Sequence, residues 1–173
     1  QPFPMWANVA GARGQYPGIP VRFSSFDMTR ILVLYYSQTG QLTRAVQSML
    51  GPLAGRPDVE IVWQNLEPVE PFPFPWGFFR FFDTFPECVH LDPPPIRPVN
   101  FGMEARFDLV VLAYQVWFLS PSLPVTAFLK SAAAVVLRDT PVITFIACRN
   151  MWLSAQEKMK AMLRDIGARH IDN

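Results

Sequence analysis

Ser37-Gln38-Thr39-Gly40-Gln41-Leu42-Thr43 is a hydroxyl-rich turn with a single glycine. It follows the apolar run Ile31–Tyr36 and opens a helical pattern, so it falls where a strand hands over to a helix. Backbone N–H groups at a helix N-terminus are unpaired and point outward, which suits a phosphate. Ser37, Thr39 and Thr43 add hydroxyl donors, and Gly40 removes a side chain where an anion must approach the backbone. The turn lacks the lysine and spacing of GxxxxGK[ST] and is not a GxGxxG turn. The competing reading is that Thr39 or Ser37 only caps the helix.

Other reactive side chains are less organised. Cys88-Val89-His90 offers two metal-capable groups, too few for a site, and His170 stands alone, so no metal is expected. Cys148 has a charge beside it, Arg149, but no base, and is expected to be a buried strand-end thiol. Asp83 and Glu87 share a helix spacing that is ordinary for surface acids.

The elements that position these groups alternate. Four runs read as strands: Ile31–Tyr36, Val59–Asn65, Leu109–Tyr114 and Val142–Ala147. The first, third and fourth are almost continuously apolar, as parallel strands covered on both faces are. Helical patterns lie between and after them. One runs through Leu42, Val46 and Leu50, one through Val125, Phe128 and Leu129, and one through Met159, Leu163 and Ile166 with Gly167 as C-cap. Arg169–Asn173 reads as a fifth strand cut off as it begins, which would leave an exposed sheet edge. The alternation implies βαβ units and an open parallel sheet, with ligands beyond the carboxyl ends of the strands. The residues after Tyr36, Tyr114 and Ala147 are therefore the ones to inspect.

Tyr36-Ser37-Gln38-Thr39-Gly40-Gln41-Leu42-Thr43 resembles the FMN phosphate loop of the flavodoxin-like family. The resemblance covers about residues 28–173 and implies a three-layer α/β/α sandwich with strand order 2-1-3-4-5, the fifth strand truncated. Longer strings resemble a subgroup of dialkylresorcinol-condensing enzymes: Pro71–Trp76, Phe81–Glu87, Ala113–Pro121 and Ala147–Trp152. The family resemblance implies FMN as cofactor, with NAD(P)H as a candidate reductant. The subgroup resemblance implies an apolar ring or carbonyl substrate and a ketosynthase-type partner, and a homo-oligomer stays open.

By the same resemblance, the flavin ring lies between Tyr114-Gln115-Val116-Trp117-Phe118 and Cys148-Arg149-Asn150-Met151-Trp152. A flat amphipathic ring needs an aromatic or apolar face and backbone groups at its polar edge. Trp117 is the first choice for stacking, followed by Tyr114 and Trp152, against the alternative that these aromatics fill the core. Arg149 would favour negative charge on the bound ring, and Asn150 would hydrogen-bond the ring edge or a substrate carbonyl. These two are the catalytic candidates.

Composition points to one unusual segment. Of 18 prolines, nine fall between Pro68 and Pro98, and of 15 phenylalanines, seven fall between Phe72 and Phe85. Prolines 68, 71, 73 and 75 favour an extended lead into a short helix over Trp76–Phe85, apolar nearly all round. Such a helix is either packed under its own flanking loops, or a lid in which Trp76, Phe79 and Phe82 line a channel for an apolar substrate, or a contact for a partner or membrane surface. The scarcity of lysine and arginine around it weighs against the membrane.

The remaining counts exclude function classes. A net charge of +1 offers no footprint for nucleic acid and differs from the acidic surface of flavodoxin electron carriers. Two cysteines make no disulfide framework and read as thiols of the cytoplasm. No apolar run is long enough for a bilayer span, and no signal peptide is visible in residues 1–27. Gln1–Asp27, rich in proline and glycine, reads as an extension outside the domain, with Met28 as the native start.

Overall fold

Apolar runs of this kind need cover on both faces, and a central parallel sheet provides it. The computed structural model describes residues 28–173, so the expected extension at 1–27 lies outside the described residues. The elements are β1 (Thr29–Tyr35), α1 (Gln41–Leu50), β2 (Val59–Asn65), α2 (Phe78–His90), β3 (Leu109–Trp117), β4 (Ser120–Pro121), α3 (Leu123–Lys130), β5 (Pro141–Ala147), α4 (Leu153–Ile166) and β6 (Arg169–Asp172). Their order across the sheet is β2-β1-β3-β5-β6, all parallel, with β4 paired antiparallel to β3 alone. The expected order of five parallel strands holds, and β6 is the short fifth.

Alternate residues of each strand feed opposite cores, as the two-residue period requires. Leu32, Leu34, Val110, Leu112, Tyr114 and Val142 pack with Val125 and Phe128 of α3, Met159 and Leu163 of α4, and Cys88 of α2. Ile31, Val33, Val111 and Ala113 pack on Leu42, Val46 and Leu50 of α1. Gly167 ends α4 with φ 84°, and its N–H bonds back to the carbonyls of Leu163 and Arg164, as a glycine C-cap does.

Register brings three strand ends to one edge. Tyr35 lies beside Ala113, and Gln115 beside Ala147.

Three expectations change here. The segment Tyr114–Phe118 is not a loop. β3 runs on to Trp117, turns through Phe118 and Leu119, and returns as β4, with Val116 opposite Pro121 and Trp117 opposite Ser120. Pro121 hides this in the sequence, since proline argues against a strand except at an edge. The aromatic helix is later and longer than expected, Phe78–His90, with Pro86 inside it. It is also not packed under flanking loops. Its small residues Thr84 and Cys88 face the core, while Phe78, Phe79 and Phe82 lie on the other side of the helix and are exposed. Cys148, expected as a buried thiol, is exposed, and the buried thiol is Cys88. Desolvation, with Glu87 beside it, pushes Cys88 up to about 12.

Candidate functional site

The turn after β1 is built to leave donors free. α1 starts at Gly40 in the left-handed region, φ 75°, and no side chain caps it. The capping reading for Ser37 and Thr39 therefore fails. The Ser37 Oγ is buried and has no hydrogen-bond partner among the described residues. A Cβ on Gly40 would sit 3.4 Å from Arg44 Nη1, so the guanidinium lies across the turn. Thr39 and Gln41 are exposed and Thr43 is half-buried. Leu42, in contrast, is buried in one cluster with Val46, so its side chain serves the core.

Gln38 ties this turn to two other segments. Its backbone N–H donates to Gln115 Oε1 at 3.5 Å, at the end of β3. Its Nε2 donates to the Pro73 carbonyl at 3.2 Å, and its Oε1 accepts from Trp76 Nε1 at 3.1 Å. The proline-framed segment is thus held directly over the turn.

An aromatic cluster stands next to these bonds. Trp117 meets Phe72, Trp76 and Tyr36 edge-on, with ring centroids 5.0, 5.2 and 5.7 Å apart. Phe118, at the hairpin tip, packs on Phe81 at 4.8 Å and Phe85 at 5.2 Å. Arg80 lies over the Phe72 ring at 5.2 Å. Burial raises the Tyr36 phenol above its ordinary range.

Not every expected residue joins this edge. Tyr114 is fully buried, and its hydroxyl donates to Gln156 Oε1 at 2.6 Å, so it belongs to the core beneath α4. Burial, with a lesser push from Cys148, raises its pKa well above the usual phenol value. Val116 is half-buried against the same core. Phe79 and Phe82, expected to line a channel, point away from the cluster and touch other α2 rings. Trp76 is the one of the three at the site.

The turn after β5 is exposed from Cys148 to Trp152 and largely bonded to itself. The Asn150 N–H donates to Cys148 Sγ at 3.3 Å, and the Met151 N–H donates to Asn150 Oδ1 at 2.7 Å. The Cys148 thiol bonds to the Asn150 carbonyl. Met151 is left-handed, φ 53°. Arg149 stays exposed at the same sheet edge as Gln115.

Three residues to which the sequence reading gave no role of their own belong to the site. Phe72 is buried as the centre of the ring cluster, Tyr36 walls it, and Lys158 Nζ donates to Ser120 Oγ at 2.7 Å under the hairpin. Phe72 had a signal in the sequence: it is the one aromatic set between the prolines at 71 and 73. Lys158 had none. Among the described residues no group of three or more His, Cys, Asp or Glu side chains is placed to hold a metal. No helix among the described residues is long and apolar enough to cross a membrane.

Solved structures share this architecture. One is a flavoprotein from Lactobacillus acidophilus NCFM, crystallised in complex with FMN. It is 18% identical, with 83% of this chain and 91% of that chain aligned at a TM-score of 0.64. A protein described as a flavoprotein from Bacteroides eggerthii DSM 20697 matches at 17% identity over 82% and 85% of the two chains, TM-score 0.62. A third, from Bacteroides uniformis ATCC 8492, matches at 15% identity over 84% and 91%, TM-score 0.58. The fold is flavodoxin-like. No family model matches the chain, and no curated protein is significantly similar to it. In open α/β sheets ligands generally bind beyond the carboxyl ends of the strands, the side on which the turns after β1, β3 and β5 lie.

Proposed function

We propose that this edge binds FMN and that the protein is an FMN-dependent oxidoreductase of apolar ring or carbonyl compounds. The observation that carries the reading is the partnerless buried hydroxyl of Ser37 below an uncapped α1 whose first turn opens at left-handed Gly40. A buried hydroxyl without a partner costs free energy, and an incoming phosphate oxygen supplies the missing acceptor. The N–H groups of the first turn, the hydroxyls of Thr39 and Thr43, and Arg44 lying across Gly40 complete a donor set suited to a phosphate.

When bound, FMN supplies a ring that accepts or releases a hydride. The chain's own part is to position and enclose it. Trp117 and Trp76 give an apolar wall braced by Phe72 and Tyr36, and Gln115 presents a side-chain amide at the same edge. Arg149, exposed at the end of β5, supplies a positive charge that favours negative charge on the bound ring, and Asn150 stands beside it. The rings around Trp117 exclude water and favour an apolar substrate.

A cyclohexanedione aromatised to a resorcinol fits this chemistry. It loses two electrons and two protons, and the resemblance of Pro71–Trp76, Ala113–Pro121 and Ala147–Trp152 to dialkylresorcinol-condensing enzymes supports it. In that setting a ketosynthase-type enzyme supplies the dione. The +1 net charge weighs against a flavodoxin-type electron carrier, whose partners dock through charge. The preserved hydroxyl turn weighs against a non-redox scaffold.

The test is titration of the purified protein with FMN, followed by visible absorbance, and then by NADH and NADPH. Stoichiometric flavin uptake and turnover of an apolar dione are expected. Absence of flavin uptake overturns the reading.

A further inference from the structure

α2 has two faces, and the flavin reading uses one. Thr84 and Cys88 face the core, and Phe81 and Phe85 reach Phe118. Alongside runs the line Phe78, Phe82, Phe85 and Val89, spaced four, three and four residues apart, in which Phe85 is the border residue, packed on Phe118 and still half exposed. That spacing is the a/d seam of helices packing on helices. Here the seam faces outward: Phe78 is 72% exposed, Phe82 56% and, beside them, Phe79 81%. The C-terminal half of the seam, Phe85 and Val89, is half exposed, as is Leu119 at the hairpin tip.

We infer that this seam is a self-association surface, occupied by α2 of a second copy of this chain in an antiparallel, two-fold arrangement. The spacing makes one narrow apolar stripe along α2, of the width that a second helix covers. The area is close to sufficient. At about 200 Å² per phenylalanine side chain, the exposed parts of the α2 rings amount to roughly 500–600 Å². A standard interface takes about 800 Å² from each partner, and Val89 and Leu119 add to the patch. A patch of this size is at the upper end of what a monomer exposes, where such patches are often functional.

Charge selects the occupant. No seam position is charged. Arg80, the one lysine or arginine of α2, is turned away, 3.7 Å from Glu87 Oε1 and over the Phe72 ring. An anionic lipid surface finds no cation there. A hetero-partner chosen by flanking charges finds none to read. A second copy meets no like charge in the seam, and a two-fold axis sets each a position against a d position. Phe82 then faces Phe85 of the partner subunit, and Phe78 faces Val89 of the partner subunit.

This inference stands apart from the flavin reading, and its readout is mass. Sedimentation equilibrium of the full chain is expected to give twice 19.7 kDa. Phe82→Glu is expected to give the monomer with an unchanged far-UV circular dichroism spectrum, because the side chain is exposed and its ring pairs are with Phe78 and Phe81 of the same helix. Phe78→Lys is expected to do the same. Met49→Glu, which changes an exposed apolar side chain on α1, is expected to keep the dimer. A monomeric parent chain overturns the proposal, whether residues 1–27 or a different protein covers the seam. So does a dimer that survives Phe82→Glu, or one that Met49→Glu dissolves equally well.

Discussion

Gln38 Oε1 accepts a hydrogen bond from Trp76 Nε1 at 3.1 Å, which fastens the turn after β1 to the segment that leads into α2. The same Gln38 side chain donates to the Pro73 carbonyl, so one residue holds both ends of the bridge. A half-buried bond of this kind is worth about 1 kcal/mol net. Gln38→Ala and Trp76→Phe are each expected to lower unfolding stability. In a double-mutant cycle by urea denaturation they should couple by about 0.5–1.5 kcal/mol. Additive effects would mean that the bond carries no energy.

Ser37→Ala is expected to act with opposite signs on the free and the loaded protein. Removing a buried hydroxyl that has no partner relieves a desolvation cost, so the protein without flavin should gain up to about 1 kcal/mol. FMN affinity should fall by about tenfold, equivalent to ~1.4 kcal/mol. Binding of riboflavin, which lacks the phosphate, should hardly change. Denaturation of the flavin-free protein and parallel titrations with the two flavins measure both halves.

Much of this arrangement was legible from residue order. The near-continuous apolar runs at Ile31–Tyr36 and Leu109–Tyr114 announce strands covered on both faces, and their alternation with helical spacing leaves few topologies. The turn at Ser37–Thr43 was legible because a helix start and a strand end meet there. The hairpin was not legible, since Phe118 and Leu119 lack the glycine or asparagine that marks a tight turn, and Pro121 masks β4. Nor was the core role of Tyr114. Its strand position decides which way the side chain points, and the direction depends on where β3 begins. The aromatic helix misled for a related reason. Counting phenylalanines says that a helix is apolar, while the placement of Thr84 and Cys88 decides which side is buried.

The two thiols should separate cleanly on labelling. Cys148 is exposed and Cys88 is buried, with its thiol pushed up to about 12. A thiol-specific reagent at neutral pH is expected to modify one equivalent quickly in the native protein. The second should react only on unfolding. Mass spectrometry of the peptides should assign the fast site to Cys148. Prompt labelling of Cys88 would place α2 away from the sheet.

Stability is expected to decline on mild acidification through His170. Its ring lies 3.1 Å from Thr144 Oγ1 and 3.4 Å from Gln156 Nε2, in the network that also holds the Tyr114 hydroxyl. Desolvation, with Lys160 nearby, lowers its pKa, and the weaker pull of Asp172 does not offset this. A folded-state pKa below the unfolded value means that the unfolded chain binds the extra proton first. The contribution is therefore complete above the free-histidine value of about 6.5 and is lost as pH falls through it toward the folded-state value. Urea midpoints between neutral and mildly acidic pH should fall in the parent chain and flatten in His170→Gln. Equal slopes in the two proteins would remove His170 from the account.

The tip of the β3–β4 hairpin has a mechanical consequence. Phe118 and Leu119 both hold positive φ, 47° and 60°, where side chains with a Cβ cost about 1–2 kcal/mol each. The stacking of Phe118 on Phe81 and Phe85 returns about 0.5–1.5 kcal/mol per ring pair. The two sums are of the same size, so the seating of α2 offsets much of the strain in a turn that the β3–β4 pairing and Lys158 also hold. The hairpin is a sprung latch with its catch on α2, and the residue next to the spring is Trp117. A shift of the helix is therefore transmitted directly to the indole that walls the candidate cofactor site.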